Sequence, residues 1–206
     1  MSAVLEVFAD VGCPFTHVGL RRVVEARHAA GREDVRLWVR AWPLEIVNGM
    51  PLAADHVARE VEALRSSVAP QLFRSFNANH YPASTLAAMA LAAAAYDQGL
   101  EAGEAVSLEL RDRLFERGEN LANVDVLVAV AEGHGLPVPL PSPDLSPVYR
   151  DYEEGKRRGV TGSPHFFVGG AGFFCPGLKI EQHDGQFQIT PATEEFDRFL
   201  ANVLGT

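Results

Sequence analysis

Val4-Leu5-Glu6-Val7-Phe8-Ala9-Asp10-Val11-Gly12-Cys13-Pro14-Phe15-Thr16-His17 is the stretch that decides the fold. Its first six residues are apolar apart from Glu6 and read as a buried strand. Pro14 suits the first turn of a helix, where no backbone N–H is needed. From Thr16 to Ala30, the residues Val18, Leu20, Val23, Val24 and Ala26 recur at helical spacing, and Gly31 closes the helix. Val35-Arg36-Leu37-Trp38-Val39-Arg40-Ala41 then alternates apolar and polar, as a half-buried strand does. Strand, helix and strand of these lengths make a right-handed βαβ unit, with Cys13 at the carboxyl end of its first strand.

Beyond this unit the pattern changes. From Ala53 to about Gly135 the periodicity is helical, with helices expected over Ala53–Ser67, Pro82–Gln98, Glu101–Arg117 and Val124–Gly133. Pro137-Val138-Pro139-Leu140-Pro141-Ser142-Pro143 reads as an extended link. A further helix is expected over Ser146–Arg158. Strand character returns in His165-Phe166-Phe167-Val168 and Phe173-Phe174-Cys175, which flank Gly169-Gly170-Ala171-Gly172 as a hairpin would. An amphipathic helix over Thr193–Val203 ends the pattern, with Phe196, Phe199, Leu200 and Val203 on one face.

The order βαβ, helices, ββα predicts an α/β chain in three parts: residues 1–50, a helical insertion over 51–145, and residues 146–206. A chain of 206 residues is long enough to bury a full core. Its net charge of -9, with no basic stripe, argues against a nucleic-acid partner. No charge-free apolar run reaches membrane-spanning length, so no membrane partner is expected. The chain enters a strand directly after Met1-Ser2, without the charged and apolar regions of a secretory signal. The expected setting is cytoplasmic, where a structural disulfide between its two cysteines is not expected. The remaining histidines, His28, His56, His80, His134 and His183, show no metal-ligand spacing.

Cys13 is the sharpest chemical feature. A helix N-terminus carries unpaired N–H groups and partial positive charge, which favour thiolate over thiol. A low-pKa nucleophile is therefore expected, against the alternative of a small buried hydrophobe. Three residues on, where a dithiol motif would have its second cysteine, stands Thr16. Its hydroxyl can hydrogen-bond a thiolate but cannot resolve a mixed disulfide. His17 is a candidate cation or base beside the thiol, or simply a solvent-facing residue. His165 can point either way by strand alternation.

Cys13-Pro14-Phe15-Thr16 after the first strand, and Gly159-Val160-Thr161-Gly162-Ser163-Pro164-His165-Phe166-Phe167 near the end, carry a family resemblance over nearly the whole chain. Trp42-Pro43-Leu44 and Asn79, before Ala83 and Leu86, support it. The chain resembles the DsbA family of thioredoxin-fold proteins. It is most similar to the FrnE-like branch, related to 2-hydroxychromene-2-carboxylate isomerases and kappa-class glutathione transferases. The resemblance implies a thioredoxin-like fold (βαβ…ββα) with an inserted all-helical domain. It implies Cys13 and Thr16 as catalytic residues and a cis-proline at Pro164, opposite the cysteine, with Ser163 presenting backbone to an extended thiol substrate. Pro14, Phe15, Asn79 and Trp42 join Ser163 and Pro164 as expected substrate contacts, with Trp42 and Phe15 lining a cleft between lobes.

The expected function is thiol–disulfide oxidoreduction through a single cysteine on a thiol or disulfide substrate, small molecule or protein. No tightly bound cofactor is expected, and glutathione or another low-molecular-weight thiol would serve as co-substrate. Cys175 is a candidate second thiol. A disulfide needs Cα atoms within about 7 Å, and two strand spacings already amount to about 9–10 Å. No Cys13–Cys175 bond is therefore expected without movement. Two rivals stand beside this reading: a glutathione-type isomerase or transferase, and a degenerate thioredoxin fold that only binds a partner. The oligomeric state, a homodimer included, is open.

Overall fold

The computed structural model of the chain describes residues 3–138, 142–183 and 186–205. β1 (Ala3–Ala9), α1 (Pro14–Ala29) and β2 (Val35–Ala41) form the expected unit. β1 and β2 are parallel, in register from Ala3↔Val35 to Ala9↔Ala41. Then follow α2 (Leu44–Val47), α3 (Ala54–Ser67), a 3₁₀ turn (Ala78–His80), α4 (Leu86–Tyr96), α5 (Leu100–Phe115), α6 (Val124–Gly133) and α7 (Ser146–Arg157). β3 (His165–Val168) and β4 (Ala171–Phe174) form the hairpin read from the sequence. β3 pairs antiparallel with β1, giving a mixed sheet of order β2-β1-β3-β4. This is the thioredoxin-like arrangement, with its helices on both faces.

Three departures from the sequence reading have physical causes. The helix expected from Pro82 starts only at Leu86. The residue before a proline is driven to extended backbone, and Tyr81 has φ -63 and ψ 132. Glu45 Oε1 then accepts the N–H of Thr85 and the hydroxyl of Ser84, capping the helix from outside. α2 is a single turn, too short to leave a periodic signature. The third departure is larger. β5 (Leu178–His183) and β6 (Gln186–Pro191) form a separate antiparallel pair, missing from the reading above. Each alternates polar and apolar residues, and the sequence between them, Asp184-Gly185, is a hairpin dipeptide. The centre of the proline-rich link, residues 139–141, lies outside the described residues.

Packing divides into three apolar clusters. One sheet face presents Leu5, Val7, Leu37 and Phe166 to Leu20 and Val23 of α1 and to Phe196, Phe199 and Val203 of α8 (Thr193–Leu204). The other face sets Phe8, Phe167 and Trp42 beneath α7. There a Cβ at Gly155 would lie 2.7 Å from the Trp42 ring, so α7 needs glycine to come this close. The third cluster joins Cys13 and Phe15 at the start of α1 to the inward faces of α3 to α6 and to Leu178 and Ile189 of the extra hairpin.

β2 is an edge strand, and its open edge is closed by side chains. Glu104 accepts the N–H of Leu37 at 2.7 Å, Tyr96 Oη accepts that of Val39 at 2.9 Å, and Asp151 accepts that of Ala41 at 3.0 Å. Tyr96 also donates to the carbonyl of Leu37, and Arg27 to that of Val35. An edge occupied this way cannot template another strand. Among the described residues no helix is long and apolar enough to cross a membrane.

Glu104 also forms a bidentate pair with Arg27, both buried, which ties α1, β2 and α5 together. Glu104→Ala strands a buried guanidinium and a strand N–H. It should cost about 3–5 kcal/mol, read as a lowered urea midpoint with an unchanged m-value.

Candidate functional site

The site is built around the turn from Asp10 to Cys13. Asp10 Oδ1 accepts the Gly12 N–H at 2.8 Å, folding the turn on itself, and Oδ2 accepts the Leu44 N–H at 2.7 Å. The Asp10 carbonyl accepts the Cys13 N–H and a guanidinium N–H of Arg111. Tyr81 donates its hydroxyl to the Gly12 carbonyl at 2.8 Å. A Cβ at Gly12 would lie 2.4 Å from that hydroxyl oxygen, so the position requires glycine. Burial raises the Asp10 pKa, against the hydrogen bonds from Gly12, Leu44 and Thr85 and the charge of Arg111.

Cys13 is the N-cap of α1 and Pro14 opens the helix. The Cys13 thiol donates to the carbonyl of Ser163 at 3.2 Å. The Ser163–Pro164 peptide bond is cis. Ser163 Oγ accepts the Asp10 N–H at 2.9 Å and is hydrogen-bonded to Thr16 Oγ1, also at 2.9 Å. Cys13, Thr16, Ser163 and Pro164 therefore form one connected group, although the chain separates them by about 150 residues. Phe15 packs in the same apolar cluster as Cys13.

The charge state of Cys13 differs from the expectation of a depressed pKa. The residue is 3% exposed, and burial pushes its thiol up to about 11. Hydrogen bonds from Thr16 and Ser163 pull the other way, while the charge of Glu60 adds to the rise. One pKa unit is worth about 1.4 kcal/mol, so the site favours the thiol by about 3 kcal/mol more than water does. A helix N-terminus contributes at most about 2 kcal/mol. Desolvation wins because α3 packs against α1 and the helix start lies inside the third apolar cluster.

Other expected site residues fall elsewhere. His17 neither stands beside the sulfur nor faces solvent. It is 1% exposed, lies between the rings of Phe73 and Phe115, and meets Glu116 at 2.8 Å through Nε2. Burial lowers its pKa, so the neutral ring donates to the carboxylate. Burial opposes the Glu116 charge, but His17 and the N–H groups of Phe73 and Arg74 outweigh it and hold the group at about 2. Trp42 does not share the Cys13 cleft: it packs with Phe8, Val160 and Phe167 on the opposite sheet face, its ring 5.2 Å from Tyr152. Asn79 is exposed within the 3₁₀ turn, where its N–H bonds to Asn77, and it opens no long helix. His165 stacks on Phe167, with Nδ1 facing Thr161.

Cys175 lies one residue past β4, at φ 44, with its N–H on the Pro164 carbonyl at 2.9 Å. It is buried in the apolar cluster of Cys13, and burial pushes its thiol up further than that of Cys13. Both cysteines are free. Among the described residues no group of three or more His, Cys, Asp or Glu side chains could hold a metal ion.

Three residues of this site, Asp10, Tyr81 and Arg111, and the buried acid Glu60 on α3 escaped the sequence reading. Glu60 and Arg111 were visible as charges on the apolar stripes of their helices, beside Val57, Val61 and Leu64 and beside Leu110 and Leu114. Asp10, two residues before a glycine, had the signature of a side-chain turn. Tyr81 gave no signal, since only the tertiary fold brings it to Gly12.

The DSBA-like thioredoxin domain family matches residues 4–188 of the chain. Comparison with curated proteins gives no match. Among solved structures, the chain is similar to a probable DsbA oxidoreductase from Streptomyces coelicolor, with a TM-score of 0.66 at 20% identity over 98% of this chain and 90% of that one. A 2-hydroxychromene-2-carboxylate isomerase is similar with a TM-score of 0.62 at 15% identity, over 83% and 88% of the two chains. The cytosolic disulfide reductase DsbM from Pseudomonas aeruginosa gives 0.56 at 15% identity, over 96% and 95%. At these identities the likeness is one of fold.

Two outcomes follow from the charge states. In a Cys175→Ser chain, the absorbance of thiolate should rise with a midpoint well above the free-cysteine value of about 8.5, near 11, and Thr16→Val should move it higher still. Glu116 is depressed, so its contribution to stability is complete above its unfolded pKa, about 4.3, and is lost as pH falls toward about 2. Glu116→Gln should flatten that acid limb in urea titrations.

Proposed function

The chain belongs to the DSBA-like thioredoxin domain family, and from that premise we propose that it is a thiol–disulfide oxidoreductase working through Cys13 alone. The observation that carries this reading is the placement of the Cys13 sulfur, 3.2 Å from the carbonyl of Ser163. A substrate sulfur bound to Cys13 would lie beside that carbonyl, where an extended chain or a small thiol finds a backbone partner. Pro164 and Phe15 would shape the apolar wall of that place. Thr16 supports the nascent thiolate by hydrogen bonding.

With threonine at the second position, the mixed disulfide on Cys13 is released by an external thiol. A low-molecular-weight thiol such as glutathione is the proposed co-substrate and electron donor, in a cytoplasmic setting. The resting thiol is protonated and 3% exposed, so substrate entry requires the elements packed around the start of α1 to part. Disulfide substrates are small or locally extended for the same reason.

A glutathione-type isomerase or transferase is the second reading, favoured by one observation. Cys13 is held as a thiol that donates a hydrogen bond rather than as a thiolate, and a donor at this place suits a co-substrate that brings its own sulfur. Saturable binding of reduced glutathione without disulfide reductase activity would select it.

Incubation with glutathione disulfide should add one glutathione to Cys13, seen in the intact mass. Cys13→Ser should abolish the adduct and any reductase turnover, whereas Cys175→Ser should retain both. An adduct that persists in Cys13→Ser rejects the reading.

A further inference from the structure

Among the described residues two arginines are buried, and only one of them has a carboxylate. Arg27 meets Glu104 in a bidentate pair. Arg111, on the face of α5 that carries Leu110 and Leu114, is 2% exposed. Its Nη1 donates to the carbonyl and the hydroxyl of Ser107, at 2.8 and 2.7 Å. Its Nη2 donates to the carbonyl of Asp10 at 3.3 Å. Nε has no partner among the described residues. Every acceptor of this guanidinium is neutral.

The Asp10 carbonyl also accepts the N–H of Cys13, at 3.4 Å. One oxygen therefore joins the guanidinium to the residue that carries the sulfur. The two nitrogens stand within two hydrogen-bond lengths of each other, about 6–7 Å, in a buried setting where charges are weakly screened. The charged and titratable groups around Arg111 are Asp10 at the end of β1, Cys13 at the start of α1, Tyr96 on α4 and Asp112 on α5. Asp151 of α7 and Arg40 of β2 line a void of about 10 Å³ with it. Each acid is engaged elsewhere: Asp10 accepts the N–H groups of Gly12 and Leu44, Asp112 pairs with Arg21, and Asp151 pairs with Arg40. Burying a cation without its counterion is costly, and burial lowers Arg111 to about 10. At neutral pH the guanidinium is still charged. Cys13 is the neighbour that becomes an anion when a bond to its sulfur is made or broken.

We propose that Arg111 is a positioning residue whose buried charge, held behind the Cys13 turn through the Asp10 carbonyl, stabilises the Cys13 thiolate as an S–S bond to it forms or breaks; this rests on the thiol–disulfide reading above. In the release step, glutathione thiolate attacks the glutathione sulfur of Cys13–S–S–G. The S–S bond breaks, its electron pair stays on the Cys13 sulfur, and glutathione disulfide departs. The Cys13 thiolate then takes a proton from water. A thiol leaves faster as its pKa falls, so a positive charge behind the turn speeds this step. The attack of Cys13 on a disulfide is the same step in reverse and gains in the same way.

The test is the rate at which reduced glutathione releases the adduct from Cys13 at neutral pH, followed by intact mass in a Cys175→Ser chain. Three variants separate charge from hydrogen bonding: Arg111→Lys keeps the charge, Arg111→Gln keeps a donor without charge, and Arg111→Met keeps neither. Arg111→Gln and Arg111→Met should slow release by about threefold or more, whereas Arg111→Lys should stay within about twofold of the parent chain. All three lose the guanidinium fork and should lower the urea midpoint, so rates that sort by charge and not by stability are what packing alone would not produce. If Arg111→Met does not fold, Arg111→Gln carries the comparison. Unchanged rates, faster release in every variant, or slow release in Arg111→Lys beside a parent-like Arg111→Gln overturns the proposal and leaves the thiol reading standing. If Cys13 takes up no glutathione at all, both fall.

Discussion

Ser163 is the joint on which the structure depends. Its hydroxyl takes the N–H of Asp10 at the end of β1 and meets Thr16 in the first turn of α1, while its carbonyl takes the thiol of Cys13. These are contacts between the two halves of a split fold, since the helices from α2 to α7 lie between them in the chain. The β1–β3 ladder runs beside the joint and holds it in register, with Phe8 opposite His165. Each bond alone is modest, about 1 kcal/mol net. Their weight lies in burial: removing one partner leaves a polar group without water, which costs about 1–3 kcal/mol. The loop before β3 is therefore held to the Cys13 turn by necessity as much as by attraction.

The same burial decides the chemistry. An exposed helix start would make Cys13 a thiolate. Here it is buried in the apolar cluster that the helices between β2 and β3 help to build, and desolvation outweighs the hydrogen bonds from Thr16 and Ser163. Burial likewise raises Asp10, Tyr81 and Glu60, and lowers Arg111 to about 10.

The βαβ unit was legible because strand alternation and helical periodicity are local. Val35–Ala41 and Val124–Gly133 have the same bounds in sequence reading and structure. Cys13, Thr16, Ser163 and Pro164 were identified from motifs, and they meet in space. Reading failed where a partner far along the chain intervenes. Glu45 delays α4, Glu116 draws His17 away from the sulfur, and Gly155 lets α7 settle on Trp42. The β5–β6 hairpin was missed for a different reason: its strands carry few apolar residues, and Phe187 finds its partner on α3, in the ring of His56.

Sequence by itself determined the order of elements, the family resemblance, and the identity of the thiol and its missing partner, because turn chemistry, periodicity and motif spacing are properties of neighbouring residues. Tertiary structure alone decided that Cys13 is covered and protonated, that Trp42 and Asn79 stand apart from it, and that Tyr81 and Arg111 brace its turn. Burial and electrostatic coupling are set by which distant surfaces close on one another, and no local pattern encodes them.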